Sequence, residues 1–548
     1  RGAAQRGPPS LSPERASGGT AAMATAFDVL SNIEGFNFED EPALSPMEKM
    51  YFNGEMLSKY EPCTDALSRI IASDGEDEDL WDEFEETFNK FLDASWSSNW
   101  DGVRYDIVFY GVSGYTGYLM MEYLKRTSLK KNPEKYSFAF AGRTVSKVVE
   151  LRDREFLGTE WEDIPVIQAS YDDPVSMLDL AKSSYVIINV AGPYMLAQGE
   201  VMIDACCMCG TDYCDVAGEI PWTMRTLELH EHAQKGQACI IPSAAVAGGY
   251  PDILTHICAK KLREETGEEL RRSYVYARGG GAGAGTSGGT LATRAAMNAA
   301  SDKVRKKMAD PFSLDGFIPE FDRNGVKEAV IQHGGNVIFK NRREDQDSIL
   351  SKVSMCPITG IWRAPWVYAY FDTRIVRRSN EMLANLENRP YGKFLSFQEF
   401  MYLPPAALAE AAAVQEAGGE LKPVAGPSVG GEKEALEKMG KYYKQGEGPP
   451  LEELSDAWVA FFCVAQSTSG HVQTCSLVGK DGYFETARCA VEMALALRYD
   501  KAELPHKGGV MNAAVCGQDW YAARLINSGL SWQMGRWHTE EEMIPPEY

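Results

Sequence analysis

Gly111, Gly114 and Gly117 recur three residues apart in Gly-Val-Ser-Gly-Tyr-Thr-Gly, directly after the apolar run Ile107 to Tyr110. A helical pattern through Leu119, Met120, Tyr123 and Leu124 follows. A strand that ends in a glycine turn and opens a helix is the start of a dinucleotide-binding βαβ unit. Gly111 permits the tight turn, Gly114 lets the backbone approach a pyrophosphate, and Gly117 lets helix and strand pack closely. The N–H groups of the helix start, around Ser113, Tyr115 and Thr116, would face the phosphates. The spacing is GxxGxxG rather than GxGxxG, and a glycine turn in any α/β protein could look the same. The second strand narrows the choice. Ser-Phe-Ala-Phe-Ala-Gly-Arg (137–143) puts Arg143 at a strand end where an acidic residue would hold a ribose 2′-hydroxyl and an arginine suits a 2′-phosphate. With no Asp or Glu there, the residues read as NADP(H) over NAD(H). The competing reading of Arg143 is a solvated strand-end charge.

Hydride transfer asks little of a protein beyond holding a nicotinamide against its substrate and supplying a proton. Tyr194 is the first candidate proton donor, because it follows the fourth strand, where the nicotinamide should lie. Asp215, Glu219 and Asp252 are weaker candidates, and Arg374 could polarise a carbonyl. No His-Asp or Ser-His pairing fixes a mechanism.

These residues need elements to position them. A third strand at 165–169 leads to Asp172, which could contact the adenine end of the cofactor or cap the helix that Asp173-Pro174 begins. A fourth, Tyr185 to Asn189, runs into Val190-Ala-Gly-Pro-Tyr and sets Ala191, Gly192 and Pro193 beside the nicotinamide-side ribose. A fifth spans 212–217 and a sixth 238–242. Strands alternating with helices make a doubly wound parallel sheet, the α/β class. A second, α+β domain with a mixed sheet spans 251–403. Its strand at 274–278 precedes a glycine loop (279–290), read as lining the substrate cleft, and a helix from Leu291. Trp362, Trp366, Tyr368, Tyr370 and Phe371 form an aromatic strip that suits either an apolar channel or a core. Residues 404–450 read as a linker insertion, and 451–548 as a hairpin and helices that complete the fold.

In order, the chain resembles saccharopine dehydrogenase-like oxidoreductases, and within them the trans-acting enoyl reductases. The matching pieces are 111–117, 141–143, 190–194, Gly-Thr-Asp-Tyr-Cys-Asp-Val-Ala-Gly-Glu (210–219), 286–290, Asp-Thr-Arg-Ile-Val-Arg-Arg-Ser-Asn (372–380) and Arg-Pro-Tyr-Gly (389–392). The resemblance covers roughly 103–535. It implies an NADP-dependent reductase with a Rossmann domain and a mixed-sheet domain that could pair in a homodimer. After the sixth strand the family commonly carries Gly-Phe-Asp-Ser. Here Ser243-Ala-Ala-Val stands instead, although Pro251-Asp252 remains. Two functions follow: hydride transfer to a small apolar or acyl enoyl or carbonyl substrate, or a silent reductase fold serving as a subunit of a larger complex.

Composition bounds both. A chain of 548 residues with 44% apolar content holds large cores in two or three domains. Its net charge of −23 argues against nucleic acid or an anionic membrane surface as main partner. No stretch offers the roughly 18 uncharged apolar residues of a transmembrane segment. Twelve cysteines suit a reducing compartment. The cluster Cys206, Cys207, Cys209 and Cys214 reads as helix and strand core rather than a metal site, since the nearest histidines fall on another helix. Residues 1–100 form an N-terminal extension. Positions 1–22 are basic and small, as an organelle-targeting remnant or a flexible tail would be, which puts plastid or mitochondrion ahead of cytoplasm. Between Ser73 and Asp93 many acids surround Leu80, Trp81, Phe84, Phe88 and Phe91 at helical spacing. This acidic helix either packs on the chain's own body or is presented to a protein partner.

Overall fold

The computed structural model describes residues 102–126, 135–197, 199–280, 285–314, 343–351, 353–404 and 440–538, two strands between 329 and 340, and a few isolated positions. Residues 1–68, all of the acidic segment except Asp79, Leu80 and Glu83, the Lys130–Pro133 loop, positions 281–284 and most of 405–439 lie outside the described residues.

Six strands alternate with helices through the first half. They are β1 (Tyr105–Tyr110), β2 (Phe138–Gly142), β3 (Val166–Gln168), β4 (Ser184–Asn189), β5 (Asp212–Asp215) and β6 (Cys239–Ile241). Between and after them run α1 (Tyr115–Arg126), α2 (Val145–Phe156), α3 (Pro174–Lys182), α4 (Glu200–Cys209), α5 (Ile220–Leu227) and α6 (His230–Lys235). The strands pair in parallel, in the order β6-β5-β4-β1-β2-β3. Helices cover both faces, so the central strands are apolar without alternation: Ile107, Val108 and Phe109 are all fully buried. The chain order reverses between β1 and β4, and a doubly wound sheet opens its ligand crevice at that switch point.

A long helix, α7 (Val246–Thr266), leads into the second domain. Ala247 and Gly248 are not helical, and Gly248 has φ +81°, so the regular helix starts with Gly249 and carries Pro251 in its first turn. Then come β7 (Leu270–Gly280), α8 (Gly288–Ala299), α9 (Asp302–Met308), the hairpin β8 (Ala329–His333) and β9 (Asn336–Lys340), β10 (Ser354–Met355), β11 (Trp362–Ala364), α10 (Ala369–Glu387) and β12 (Ser396–Tyr402). The C-terminal part adds α11 (Leu451–Leu454), β13 (Trp458–Ser467), β14 (Val472–Lys480), α12 (Gly482–Tyr499), β15 (Gly509–Val510), α13 (Ala513–Asn527) and β16 (Ser531–Met534). The second sheet is mixed, ordered β10-β11-β12-β7-β13-β14-β16, and only β7 and β12 run parallel.

Two C-terminal pieces return to the first sheet. β15 adds a seventh parallel strand beside β6, and α12 lies on the face of β1, β4 and β5. Tyr123 of α1 donates to Glu492 of α12 at 2.7 Å. One apolar core therefore runs from β1 through α7 to β13 and α12. Cys206 and Cys207 sit in the apolar core on the other face of the first sheet, and burial raises both thiols.

Candidate functional site

The glycine turn divides its tasks unevenly. Gly111 has φ +87°, and a Cβ there would lie 2.8 Å from the Ala191 nitrogen. A Cβ on Gly117 would lie 2.3 Å from the Val112 Cα. The fold itself demands both glycines. A Cβ on Gly114 would meet only the Gly111 carbonyl, at 3.5 Å, an ordinary contact. Among the described residues nothing requires glycine at 114, and its open side faces the cleft. At the end of β2, Arg143, Thr144 and Lys147 are exposed on the cleft rim, the latter two at the start of α2. Asp173, not Asp172, caps α3, accepting from the Ser176 N–H at 3.2 Å. Asp172 is left exposed on the rim.

The loops after β4 and β5 are locked by a buried polar network. Asn189 accepts from the Tyr171 hydroxyl and the Ala191 N–H, both at 3.0 Å, and donates to Tyr213 at 3.0 Å. Asp215 accepts from Tyr213 (2.9 Å), the Trp222 indole (2.8 Å) and the N–H groups of Ala217 (3.0 Å) and Ser243 (2.8 Å). These donors saturate the carboxylate, although burial raises its pKa. Tyr194 lines the cleft, yet its hydroxyl donates to the Asn189 carbonyl at 2.9 Å and its ring stacks on Trp222. Burial pushes that phenol well above the usual range. Glu219 holds the same turn, accepting from the N–H groups of Tyr194 (3.0 Å) and Met195 (2.7 Å) and from Thr293 of α8 (3.1 Å).

The second domain closes the cleft from the opposite side. Ser287 caps α8 by accepting from the Thr290 N–H at 3.3 Å, so the helix starts at Gly288, three residues before the sequence pattern suggests. Thr290, Thr293, Arg294 and Met297 of α8 face the cavity, as do Trp366, Tyr368, Tyr370 and Phe461. Tyr370 donates to the Gly218 carbonyl at 3.3 Å. Arg294 interacts with Tyr368, whose phenol burial pushes up to about 12. The cavity measures about 1380 Å³, more than the roughly 300–1,000 Å³ of a common small-ligand pocket. It has room for a dinucleotide and a second molecule.

The sequence-derived nucleotide residues Gly111, Ser113, Gly114, Tyr115, Thr116, Arg143, Asp172, Ala191, Gly192 and Pro193 converge on this cavity, with Gly117 packed just behind. Asp252 and Arg374 lie elsewhere. Asp252 is fully buried between α7 and α10, where it accepts from Ser379 and, at 3.0 Å, from Tyr391. Arg374 pairs with Asp347 at 2.8 Å and donates to the Met308 carbonyl at 3.1 Å. Trp362 is exposed on β11, and Phe371 is core. The aromatic strip is thus channel wall at 366, 368 and 370 only. Sequence reading passed over Lys147, Arg294 and Gln445. The helical register from Thr290 would have put Arg294 on the face of Thr293 and Met297, but nothing local marks Gln445.

No family model matches the chain. A Mycobacterium ulcerans protein named trans-acting enoyl reductase is 27% identical over 448 residues, covering 79% of this chain and 99% of that one. A Mycobacterium tuberculosis protein of the same name is 27% identical over 439 residues, covering 78% and 97%. Among solved structures, the saccharopine dehydrogenase (L-Glu forming) of Saccharomyces cerevisiae aligns at 11% identity and a TM-score of 0.41, covering 78% of this chain and 99% of that one. The homospermidine synthase of Legionella pneumophila, solved in complex with NAD, aligns at 9% identity and a TM-score of 0.39, covering 79% and 92%. The resemblance carried by the motifs thus extends over most of the described chain, which is similar to the trans-acting enoyl reductases.

Proposed function

We propose that this chain is an NADP(H)-dependent oxidoreductase that transfers hydride to an apolar enoyl or carbonyl substrate. The observation that carries the reading is the cleft at the β1–β4 switch point, where Gly114 leaves room that no atom of the described residues fills and Arg143 and Lys147 stand at the β2 end. The names of the mycobacterial relatives support the enoyl class.

In this reading residues 101–250 supply the nucleotide half and 251–403 most of the substrate half. The glycine turn with Ser113, Tyr115 and Thr116 holds the pyrophosphate at the α1 N-terminus. Arg143 and Lys147 hold the 2′-phosphate, Asp172 meets the adenine end, and Ala191, Gly192 and Pro193 flank the nicotinamide ribose. NADP(H) bound there supplies the hydride. Trp366, Tyr368, Tyr370, Phe461 and Met297 shield the reacting atoms from water and receive the apolar body of the substrate. Arg294 polarises the substrate carbonyl, and after hydride transfer the proton that completes the reduction is drawn from water at the cleft mouth. Tyr194, whose proton is committed to Asn189, positions the turn, and Asp252 and Arg374 brace the second domain.

The test is transfer of label from NADPH deuterated at the nicotinamide C4 to a trans-2-enoyl thioester or the matching ketone. Deuterium in the product of one of them is expected. Nucleotide binding without label in either product would contradict the reading.

A further inference from the structure

The segment that reads as the end of a linker crosses the mouth of the cleft. Residues 444–447 form a tight turn. The Glu447 N–H donates to the Lys444 carbonyl at 2.9 Å, Gly446 adopts φ +91°, and the Lys444 N–H donates to the Glu447 carboxylate at 3.0 Å. The tip of this turn, Gln445 and Gly446, lines the cavity.

The two sides of the segment are anchored differently. Toward the second domain the contacts are backbone on backbone. Tyr442 bridges Thr286, the Gly288 N–H donates to the Glu447 carbonyl at 2.9 Å, and a Cβ on Gly288 would lie 1.8 Å from the Lys444 carbonyl. Toward the first sheet the contacts fall on the nucleotide loops themselves. The exposed Gln445 side chain donates to the Gly192 carbonyl at 3.3 Å. The Tyr115 hydroxyl donates to the Pro449 carbonyl at 2.8 Å, and Gly448 lies flat on the Tyr115 ring, where a Cβ would come within 2.6 Å.

We infer that residues 441–450 are a strap that closes over bound nucleotide and must lift from Gly192 and Tyr115 for the nucleotide to leave. The inference rests on the nucleotide reading of the cleft. The tip of the turn, Lys444 to Glu447, is exposed, and lid opening commonly sets release rates. The strap's hold on α8 is the hinge side, and its hold on the nucleotide loops is the latch. The latch touches the residues beside the nicotinamide ribose and at the phosphate turn, so a ligand between them is enclosed when it is shut.

The experiment is stopped-flow release of NADPH from the full chain, displaced by excess NADP+, in wild type, Gln445→Ala and Gly288→Ala. Trypsin cleavage after the exposed Lys444 is followed with and without NADPH. Release is expected to quicken several-fold in Gln445→Ala and by about tenfold in Gly288→Ala, whose added methyl displaces the strap. NADPH should slow the cut at Lys444 in wild type. Gln445 is at the surface, so its variant decides the matter even if Gly288→Ala fails to fold. Equal release from wild type and Gln445→Ala, with equal cleavage whether or not NADPH is present, would overturn the strap alone. No NADPH binding by any of the three would overturn the nucleotide reading and the strap with it.

Discussion

At the scale of single residues, the glycine turn separates what the fold needs from what a ligand needs. A methyl on Gly117 would overlap the Val112 backbone, whereas a methyl on Gly114 meets no atom of the described residues closer than 3.5 Å. Gly117→Ala should therefore destabilise the chain by several kcal/mol, the usual range for forced overpacking and backbone shift being about 1–3 kcal/mol or more. Gly114→Ala should melt with the wild type and yet lose nucleotide, because the pyrophosphate would occupy the space the methyl fills. Thermal unfolding of both variants beside a nucleotide titration checks the pair. A Gly114→Ala protein that binds as wild type would remove the physical basis of the phosphate site.

At the scale of elements, α7 and α10 meet through acids rather than through apolar side chains alone. Asp252 of α7 accepts from Ser379 of α10 and from Tyr391, while Asp372 of α10 accepts from the Gly248 N–H at 2.7 Å. Burial pushes the Asp252 carboxyl up to about 7, against about 3.9 for a free aspartate, and raises Asp372 as well. Their folded-state pKa lies above the unfolded value, so between about pH 4 and 7 the folded chain binds more protons and stability falls as pH rises. Each group contributes at most about 1.4 kcal/mol per pH unit to that slope. The half-buried His230 and the buried His538, whose pKa values desolvation lowers, work in the opposite direction near neutrality. Melting temperatures from pH 5 to 7.5 should fall more steeply in wild type than in Asp252→Asn, and parallel curves would contradict the assignment. The same elements show what was legible in the sequence. The parallel strands and the glycine turn could be read because each is a continuous apolar run with local punctuation. Arg374 and Asp252 could not be placed, since a motif such as Asp-Thr-Arg-Ile-Val-Arg-Arg looks the same whether its arginines face a ligand or brace a helix. Here Arg377 pairs with Asp345 at 2.9 Å and Arg378 donates to Asn512 at 2.8 Å. In sequence the strap reads as linker, because its glycines and prolines signal a surface excursion. In the fold Gly448 serves close approach to the Tyr115 ring instead, a property set by a residue far away in the chain.

At the scale of the molecule, the cleft belongs to neither domain alone. The first sheet supplies its floor, α8 and the aromatic wall come from the second domain, and the chain returns from residue 440 onward to cover the mouth and add β15 to the first sheet. Among the described residues no helix is long and apolar enough to cross a membrane. With a net charge of −23 the chain as a whole repels anions, so a phosphate-rich ligand depends on local cations at the β2–α2 rim, where Arg143 and Lys147 stand exposed. That rim is where the account is most exposed to test. Titration of the full chain with NADPH and with NADH, followed by nicotinamide fluorescence, measures it directly. The account predicts that NADPH binds at least about tenfold tighter than NADH and that Arg143→Ala erases the difference, since one charge-assisted contact contributes roughly 1.5–3 kcal/mol. Equal affinity for the two nucleotides in wild type, or binding of neither, would contradict it.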